Sequence, residues 1–317
     1  MRYSRIAATG SYLPEKVLTN AELVDEKGVD TSDAWIVART GILERHLVGP
    51  QDSTATMAME AAKKALHMAS CEAKDLDLII VATSTPDNFF PSTACLVQAS
   101  LGVDGCPAFD IVAACAGFNY ALSIADQFIR NGQAETVMVV GSESMSTILD
   151  WKDRTTCILF GDGAGAVVLK ASDEPGIIST HLHAAGSYKD LLYLGAGLRE
   201  RKTNFVMKGH EIFKIAVSTL SAILKETLTA NQINAAQVDW LIPHQANLRI
   251  IKSVAKKLAI PMEKVIVTVD KQGNTSAASI PLALDTAVLD GRIQRGQLVL
   301  MESFGAGLVC GSALVRY

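Results

Sequence analysis

The stretch AFDIVAACAGFNYALSIADQFI, residues 108–129, changes its periodicity partway along. Residues 108–112 form a short apolar run of strand type, and from 116 to 129 the apolar positions recur at helical spacing, with Cys115 at the join. The order returns in VIVTVDKQGNTSAASIPLALDTAVL, residues 265–289: a short strand over 265–269, a turn, then a helix over 275–289 opened by Asn274. Upstream of each stretch a helical segment (53–70, then 211–230) leads through an acidic step to a buried-strand run, LIIV at 78–81 and WLI at 240–242. Downstream, a further strand (136–140, then 298–301) is followed by a glycine cluster and a last apolar strand, FGDGAGAVVL at 160–169 and FGAG at 304–307 running to Leu314 and Val315. Matching points lie about half a chain apart (274 − 115 = 159; 242 − 80 = 162), which marks a duplication. Strands alternating with helices predict an α/β layered fold with mainly parallel pairing. Residues 1–172 would form one half, carrying Cys115, and residues 173–317 the other, carrying His244 and Asn274. Packed helix layer on helix layer, the two halves make five layers, α-β-α-β-α. The helix starts at Cys115 and Asn274 then face each other near a pseudo-twofold axis.

Composition is compatible with this. The 317 residues are 49% hydrophobic and 20% charged, enough for a sizeable core in an ordinary globular chain. Aromatics are only 6%, leaving small and β-branched residues to fill closely packed sheets and helices. No apolar segment reaches the roughly 18 residues of a membrane span; the best, 111–125, is closed by Asp110 and Asp126. Arg5, Gly10 and Pro14 interrupt the first apolar run, so no secretory signal is expected. A net charge of −4 argues against nucleic acid as the main partner. The six cysteines, at 71, 95, 106, 115, 157 and 310, form no CxxC pair, so neither a zinc site nor a disulfide framework is expected, and free thiols predict a cytoplasmic protein. His181 and His183 would share a strand face, but no carboxylate or Cys accompanies them in sequence, and a polar strand face is the better account than a metal site.

Cys115 lies in Ala113-Ala114-Cys115-Ala116-Gly117. A free cysteine among alanines is commonly a small buried hydrophobe. Its place at a helix start instead offers N–H groups and a dipole that favour a thiolate nucleophile, and both accounts fit the local sequence. His244 follows the run 240–243, at the strand end where open α/β sheets place ligand groups, and Gln245 and Asn247 follow it closely. Asn274 alone reads as a turn or cap residue; the repeat, which sets it opposite Cys115, gives it interest. The cluster Gly161 to Gly165 lacks the following helix of a dinucleotide site, so tight packing is the expected use.

DIVAACAGF (110–118), PHQAN (243–247) and GNTSAAS (273–279), in that order, resemble bacterial β-ketoacyl-acyl-carrier-protein synthase III, and the likeness runs from GSYLP at 10–14 to GSALVR at 311–316. The resemblance implies a thiolase-like fold and a triad of Cys115, His244 and Asn274. It implies an oxyanion hole made by the N–H groups of Cys115 and Ala306, where the family often has Gly-Gly-Gly and this chain has Gly305-Ala306-Gly307. It implies acetyl-coenzyme A as primer, malonyl-acyl-carrier protein as extender, no cofactor beyond the coenzyme A thioester used as substrate, no metal, no membrane and a homodimer. Coenzyme A contacts fall on Thr31, Trp35, Arg39, Arg154, Met207, Gly209, Asn247 and Phe304, with the adenine between Trp35 and Arg154. Phe90 matches a residue that reaches across a dimer to the partner's acyl pocket. Carrier-protein contacts fall on Gln245, Ala246, Asn247, Leu248 and Arg249, with Lys214, Lys256 and Lys257. Arg249, Lys252 and Lys256 recur at helical spacing, as a docking face or a solvated helix face would. The alternatives are a same-superfamily synthase that condenses or transfers other acyl groups in secondary metabolism, a thiol hydrolase and a binding module without catalysis; labelling with an acyl thioester would separate the last two from a condensing enzyme.

Overall fold

The computed structural model describes residues 2–195 and 204–317. The strands are β1 (Tyr3–Tyr12), β2 (Lys16–Thr19), β3 (Glu44–Leu47), β4 (Leu78–Ala82), β5 (Ala108–Ile111), β6 (Thr136–Ser144), β7 (Asp162–Ser172), β8 (Ile177–Ala184), β9 (Leu192–Gly195), β10 (Asn204–Met207), β11 (Trp240–Pro243), β12 (Leu298–Gly305) and β13 (Val309–Arg316). The helices are α1 (Asn20–Lys27), α2 (Asp33–Thr40), α3 (Thr54–Met68), α4 (Thr93–Ser100), α5 (Gly117–Arg130), α6 (Gly209–Ala230), α7 (Leu248–Lys257), α8 (Val269–Gln272) and α9 (Ser279–Leu289). One sheet has the order β1-β7-β6-β4-β5 and a second the order β11-β12-β13-β8.

Alternation along the strands builds the layers. Leu78 and Ile80 of β4, Val137 and Val139 of β6 and Val167 of β7 face one way, onto Phe118, Leu122 and Ala125 of α5 and Ile280 and Leu284 of α9. Val299 and Met301 of β12 and Ala313 of β13 close the same core from the other side, so α5 and α9 lie between the two sheets. The intervening residues Ile79, Val81, Met138 and Val140 turn outward onto α3 and α4. In the second half Leu298 and Leu300 turn outward onto α6 and α7. The result is the five-layer α-β-α-β-α arrangement. The repeat register is tighter than the sequence suggested: 240 − 78, 298 − 136, 276 − 114 and 279 − 117 all give 162. Asn274 is therefore the counterpart of Val112, and Cys115 that of Ala277.

Two sequence expectations are corrected. The sheets are mixed, not mainly parallel: β4 pairs in parallel with β5 and β6, but β7 is antiparallel to both β6 and β1, and β13 to both β12 and β8. The turn Ala306–Leu308 between β12 and β13 is too short for a crossover, so the chain must return antiparallel. The strand expected over 265–269 shrinks to a single bridge, Leu241 to Val265. The buried Gln245 side chain takes the backbone there: its Nε2 donates to Ile266 O (3.2 Å) and Pro243 O (2.7 Å), while its Oε1 accepts from the N–H groups of Thr268 (2.9 Å) and Val269 (3.0 Å). Those groups are then unavailable to a ladder. The expected tight packing of the glycine cluster is met, since a Cβ on Gly165 would collide with the backbone of Pro281 and Leu282 in α9.

Candidate active site

Cys115 sits in a 3-10 turn, Ala114–Ala116, between β5 and α5. Ala114 has φ 44, and its counterpart Ser276, in the turn Ser276–Ala278 ahead of α9, has φ 50. These left-handed positions are costly for side-chain-bearing residues and aim both turns into the seam between the halves. The β12 end reaches the same place: a Cβ on Gly305 would stand 2.7 Å from the Cys115 amide nitrogen, so only glycine allows this approach. The positive φ values of the following turn fall on Gly307 (79) and Leu308 (44), sparing Ala306, whose methyl group is accommodated.

Cys115, His244, Asn274 and Ala306 line one cavity of about 1040 Å³. Arg39, Lys189, Lys214 and Arg249 also line it, and no Asp or Glu does among the described residues, so the cavity favours anions. His244 follows β11, with its backbone N–H on Glu302 O (2.7 Å). Its Nδ1 lies 2.6 Å from the Ser279 hydroxyl at the start of α9, and the Gln245 N–H points at the same oxygen (3.4 Å). With Ser279 accepting from Gln245, its own proton goes to Nδ1, and this network assigns the ring hydrogen to Nε2. Burial holds His244 down at about 3, so the ring is neutral and presents Nε2–H as a donor. Asn274 is pinned by its N–H to Leu159 O (2.8 Å) and by its carbonyl to the Gly161 N–H (3.1 Å). Its Oδ1 accepts from the Ser276 N–H (2.9 Å), which leaves the NH2 group as the side chain's remaining donor.

The thiolate expected at a helix start is corrected. Burial pushes the Cys115 thiol up to about 11. Its residual exposure is to the cavity, and α5 proper begins only at Gly117, beyond the turn. A desolvated sulfur without a facing cation keeps its proton.

Of the expected coenzyme A contacts, Arg39, Met207, Gly209, Asn247 and Phe304 line the cavity. Trp35 and Arg154 stand outside that lining, with Trp35 38% exposed. Its ring centre is 5.4 Å from the Arg39 guanidinium and 5.5 Å from that of Arg154, so a base can enter the sandwich only if Arg154 moves off the indole. Arg154 also donates to Asp30 O (2.8 Å), and the hydroxyl of nearby Thr31 is buried with no partner among the described residues. Phe90 is 86% exposed and does not line this chain's own cavity.

Among the expected carrier contacts, Lys214, Arg249 and Ala246 line the cavity, and Lys256 and Lys257 are exposed on α7. The Arg249 guanidinium lies 5.3 Å from the Phe213 ring centre, tying α7 to α6. Gln245 is corrected: fully buried and committed to 266–269, it supports the site and offers nothing to a docking partner. Leu248 is half-buried and packs where Gly41 leaves room for it. The histidine pair does have a carboxylate, brought by α6 and invisible in the local sequence: Glu226 lies 3.3 Å from His181 Nδ1 and 2.7 Å from His183 Nε2.

Sequence reasoning missed Ser84, Glu143, Ser276 and Ser279. Glu143 could have been noticed as the one acid in the apolar strand β6 (Thr136–Ser144), and Ser276 and Ser279 lie inside GNTSAAS.

Residues 109–186 match the family described as 3-oxoacyl-[acyl-carrier-protein (ACP)] synthase III, and residues 228–317 match its C-terminal family. The chain is 59% identical to the β-ketoacyl-[acyl-carrier-protein] synthase III of Xanthomonas campestris over 99% of this chain and 98% of that one. It is equally similar, at 59% over 100% and 99%, to the protein of the same name from Methylococcus capsulatus. Its fold superposes with a TM-score of 0.94 on the crystal structure of 3-oxoacyl-[acyl-carrier-protein] synthase III from Aquifex aeolicus, at 50% identity over 99% of this chain and all of that one. With identity of this degree over nearly its whole length, the chain belongs to the β-ketoacyl-acyl-carrier-protein synthase III family and has its thiolase-like fold.

Proposed function

We propose that the chain catalyses the initiating condensation of fatty acid synthesis: acetyl-coenzyme A acylates Cys115, and malonyl-acyl-carrier protein is then decarboxylated and joined to the acetyl group. The observation that carries this is a single cation-lined cavity in which a thiol meets two neutral donors, His244 Nε2–H and the Asn274 NH2 group. The Cys115 sulfur attacks the acetyl thioester, and the N–H groups of Cys115 and Ala306 receive the oxyanion; one such donor is worth about 3 kcal/mol. Coenzyme A leaves and the malonyl-carrier enters. Loss of carbon dioxide gives an enolate, whose oxygen His244 and Asn274 stabilise, and its carbon attacks acetyl-Cys115. The products are acetoacetyl-carrier, carbon dioxide and coenzyme A. These steps are redox-neutral and decarboxylation supplies the nucleophile, so the proposed reaction calls for no flavin, nicotinamide or metal. The cations at the cavity suit the phosphates of coenzyme A and of a carrier's prosthetic arm, and the exposed lysines of α7 suit an acidic carrier body.

A homodimer belongs to the proposal. β5 is an edge of the first sheet, and Val112 just past its end is exposed, as are Phe89 and Phe90, which shortly precede the Thr93 and Ala94 N–H groups that donate to Asp110 of β5 (2.7 Å each). A second copy meeting this edge would cover them and let Phe90 reach its partner's acyl pocket.

The test is incubation with labelled acetyl-coenzyme A, followed by malonyl-carrier. Wild type should hold stable label on Cys115 and then form acetoacetyl-carrier, whereas Cys115→Ser should lose condensation at least about 10³-fold with its fold intact. Rapid release of free acetate would point to a hydrolase, and unimpaired condensation by the variant would remove the nucleophile assignment.

A further inference from the structure

Arg45, on β3, is one of the largest side chains that the fold buries completely, and no step above uses it. Burial pulls its guanidinium down to about 10, so it is still a cation at pH 7. Among the described residues no carboxylate pairs with it, and its Nε has no partner. Its terminal nitrogens donate instead to three neutral oxygens: Leu18 O (3.2 Å), Asn20 Oδ1 (2.9 Å) and Ile158 O (2.9 Å). A buried cation without a counter-ion is costly, so packing alone does not account for it.

The contacts of Arg45 converge on Asn274. Ile158 directly precedes Leu159, whose carbonyl accepts the Asn274 N–H (2.8 Å), and Gly161 then donates to the Asn274 carbonyl (3.1 Å). Phe160, between them, is bridged in parallel to Asn274. The stem of Arg45 lies against the glycines beside this bridge: a Cβ on Gly161 would stand 3.0 Å from the Arg45 Cβ, and one on Gly273 3.2 Å. Just ahead of β3, the Leu43 N–H donates to Asp270 O (2.8 Å) in α8. Neither partner in the bridge belongs to a regular element. Asn274 falls between α8, which ends at Gln272, and α9, which begins at Ser279, and residues 158–161 precede β7 as an irregular stretch. Asn274 therefore takes its place from 158–161, and Arg45 ties that stretch down.

We propose that Arg45 is a positioning residue for the enolate donor: its fork holds Ile158 to Gly161 where they set the Asn274 NH2 group in the cavity. This rests on the condensation proposed above, in which Asn274 stabilises the enolate. The bonds of Arg45 lead to neither Cys115 nor His244, so condensation should feel its loss and acylation should not. Asn20, on the other side of the fork, donates to Asp33 Oδ1 (2.8 Å) at the start of α2 and to Ile42 O (2.7 Å). Because α2 carries Trp35 and Arg39, a disturbance on that side belongs to the KM for acetyl-coenzyme A, and acylation is read at saturation.

The two steps are read apart in Arg45→Lys, Arg45→Met, Asn274→Ala and the double variant of Arg45→Lys with Asn274→Ala. Acylation of Cys115 is followed by rapid quench with saturating labelled acetyl-coenzyme A and no carrier. The acetylated enzyme is then mixed with malonyl-carrier, and carbon dioxide and acetoacetyl-carrier are timed over a single turnover. Lysine keeps the charge but lacks the planar fork. Arg45→Lys should condense roughly tenfold more slowly than wild type and Arg45→Met about 10²-fold, with acylation in both within about twofold. Added to Asn274→Ala, Arg45→Lys should lower condensation by less than about twofold more, because the group it positions is already gone. A merely structural role predicts losses that touch both steps alike and multiply in the double variant. If Arg45→Met does not fold, Arg45→Lys and the double variant decide. Condensation at the wild-type rate in a folded Arg45 variant, equal losses in both steps, or multiplied losses in the double variant overturns the proposal. Condensation at the wild-type rate in Asn274→Ala would instead bring down the enolate-donor reading, and the positioning role with it.

Discussion

The Glu302 carboxyl shows how far burial alone sets chemistry near the site. It is 1% exposed on β12, and its Oε2 is buried with no partner among the described residues. Desolvation raises it to about 8, so it is a neutral acid at pH 7. In the unfolded chain it would titrate near 4.5. Its folded form therefore binds the proton more tightly, and its stability contribution is complete below pH 4.5 and is lost as pH rises through 8. Glu302→Gln should remove this dependence, on the order of a few kcal/mol. Tm measured at pH 5 and pH 8.5 should fall less in the variant than in wild type; equal falls would place the titration elsewhere. Single residues were unevenly legible in the sequence. Cys115, His244 and Asn274 stand in motifs and at joins, so their chemistry could be seen early. The Glu143 partners come from residues 83–85, in the loop after β4, and from Ser276, in a turn of the other half, and only folding brings them together.

At the level of elements, α7 carries the argument for a carrier. Asn247 caps it by accepting from the Ile250 N–H (3.0 Å), while Ile250, Ile251, Val254 and Ala255 bury one face. This leaves Arg249, Lys252 and Lys256 outward. Arg249→Glu with Lys256→Glu should lower kcat/KM for malonyl-carrier about tenfold, and the loss should shrink at high salt, because rim charges act mainly on encounter. Self-acylation by acetyl-coenzyme A should change less. Equal losses for both substrates would assign these residues to the fold, where Arg249 already rests on Phe213. Helices and central strands were readable because their apolar periods are strong. The lost strand at 265–269 was not, since its sequence is a good strand and only the Gln245 amide, arriving from β11's end, takes its hydrogen bonds.

The molecule as a whole turns on a seam without slack. Gly141 of β6 faces Ala277, and an added Cβ would collide with the Ala277 carbonyl oxygen and crowd the Ala278 backbone. Neither neighbour is a side chain that could swing aside. Gly141→Ala should cost about 2–3 kcal/mol, seen by calorimetry as a Tm several degrees lower, and condensation should fall further than the folded fraction does. An unchanged Tm would mean that the halves can separate without penalty. The duplication and layering were legible in the 162-residue register, whereas the closeness of the seam follows from backbone contacts that no sequence period records. The sheets also have a consequence for how the chain finds its structure. β1 is an outer strand whose partner is β7, with Tyr12 against Ala164, and β8 is an outer strand whose partner is β13, with Ala184 against Val309. In each sheet, then, an outer early strand must wait for a late one, and the entropy of closing so long a loop is spent before that strand's ladder forms. Until then its N–H and C=O row is open to other chains, so refolding should be slow and its yield should drop as protein concentration rises.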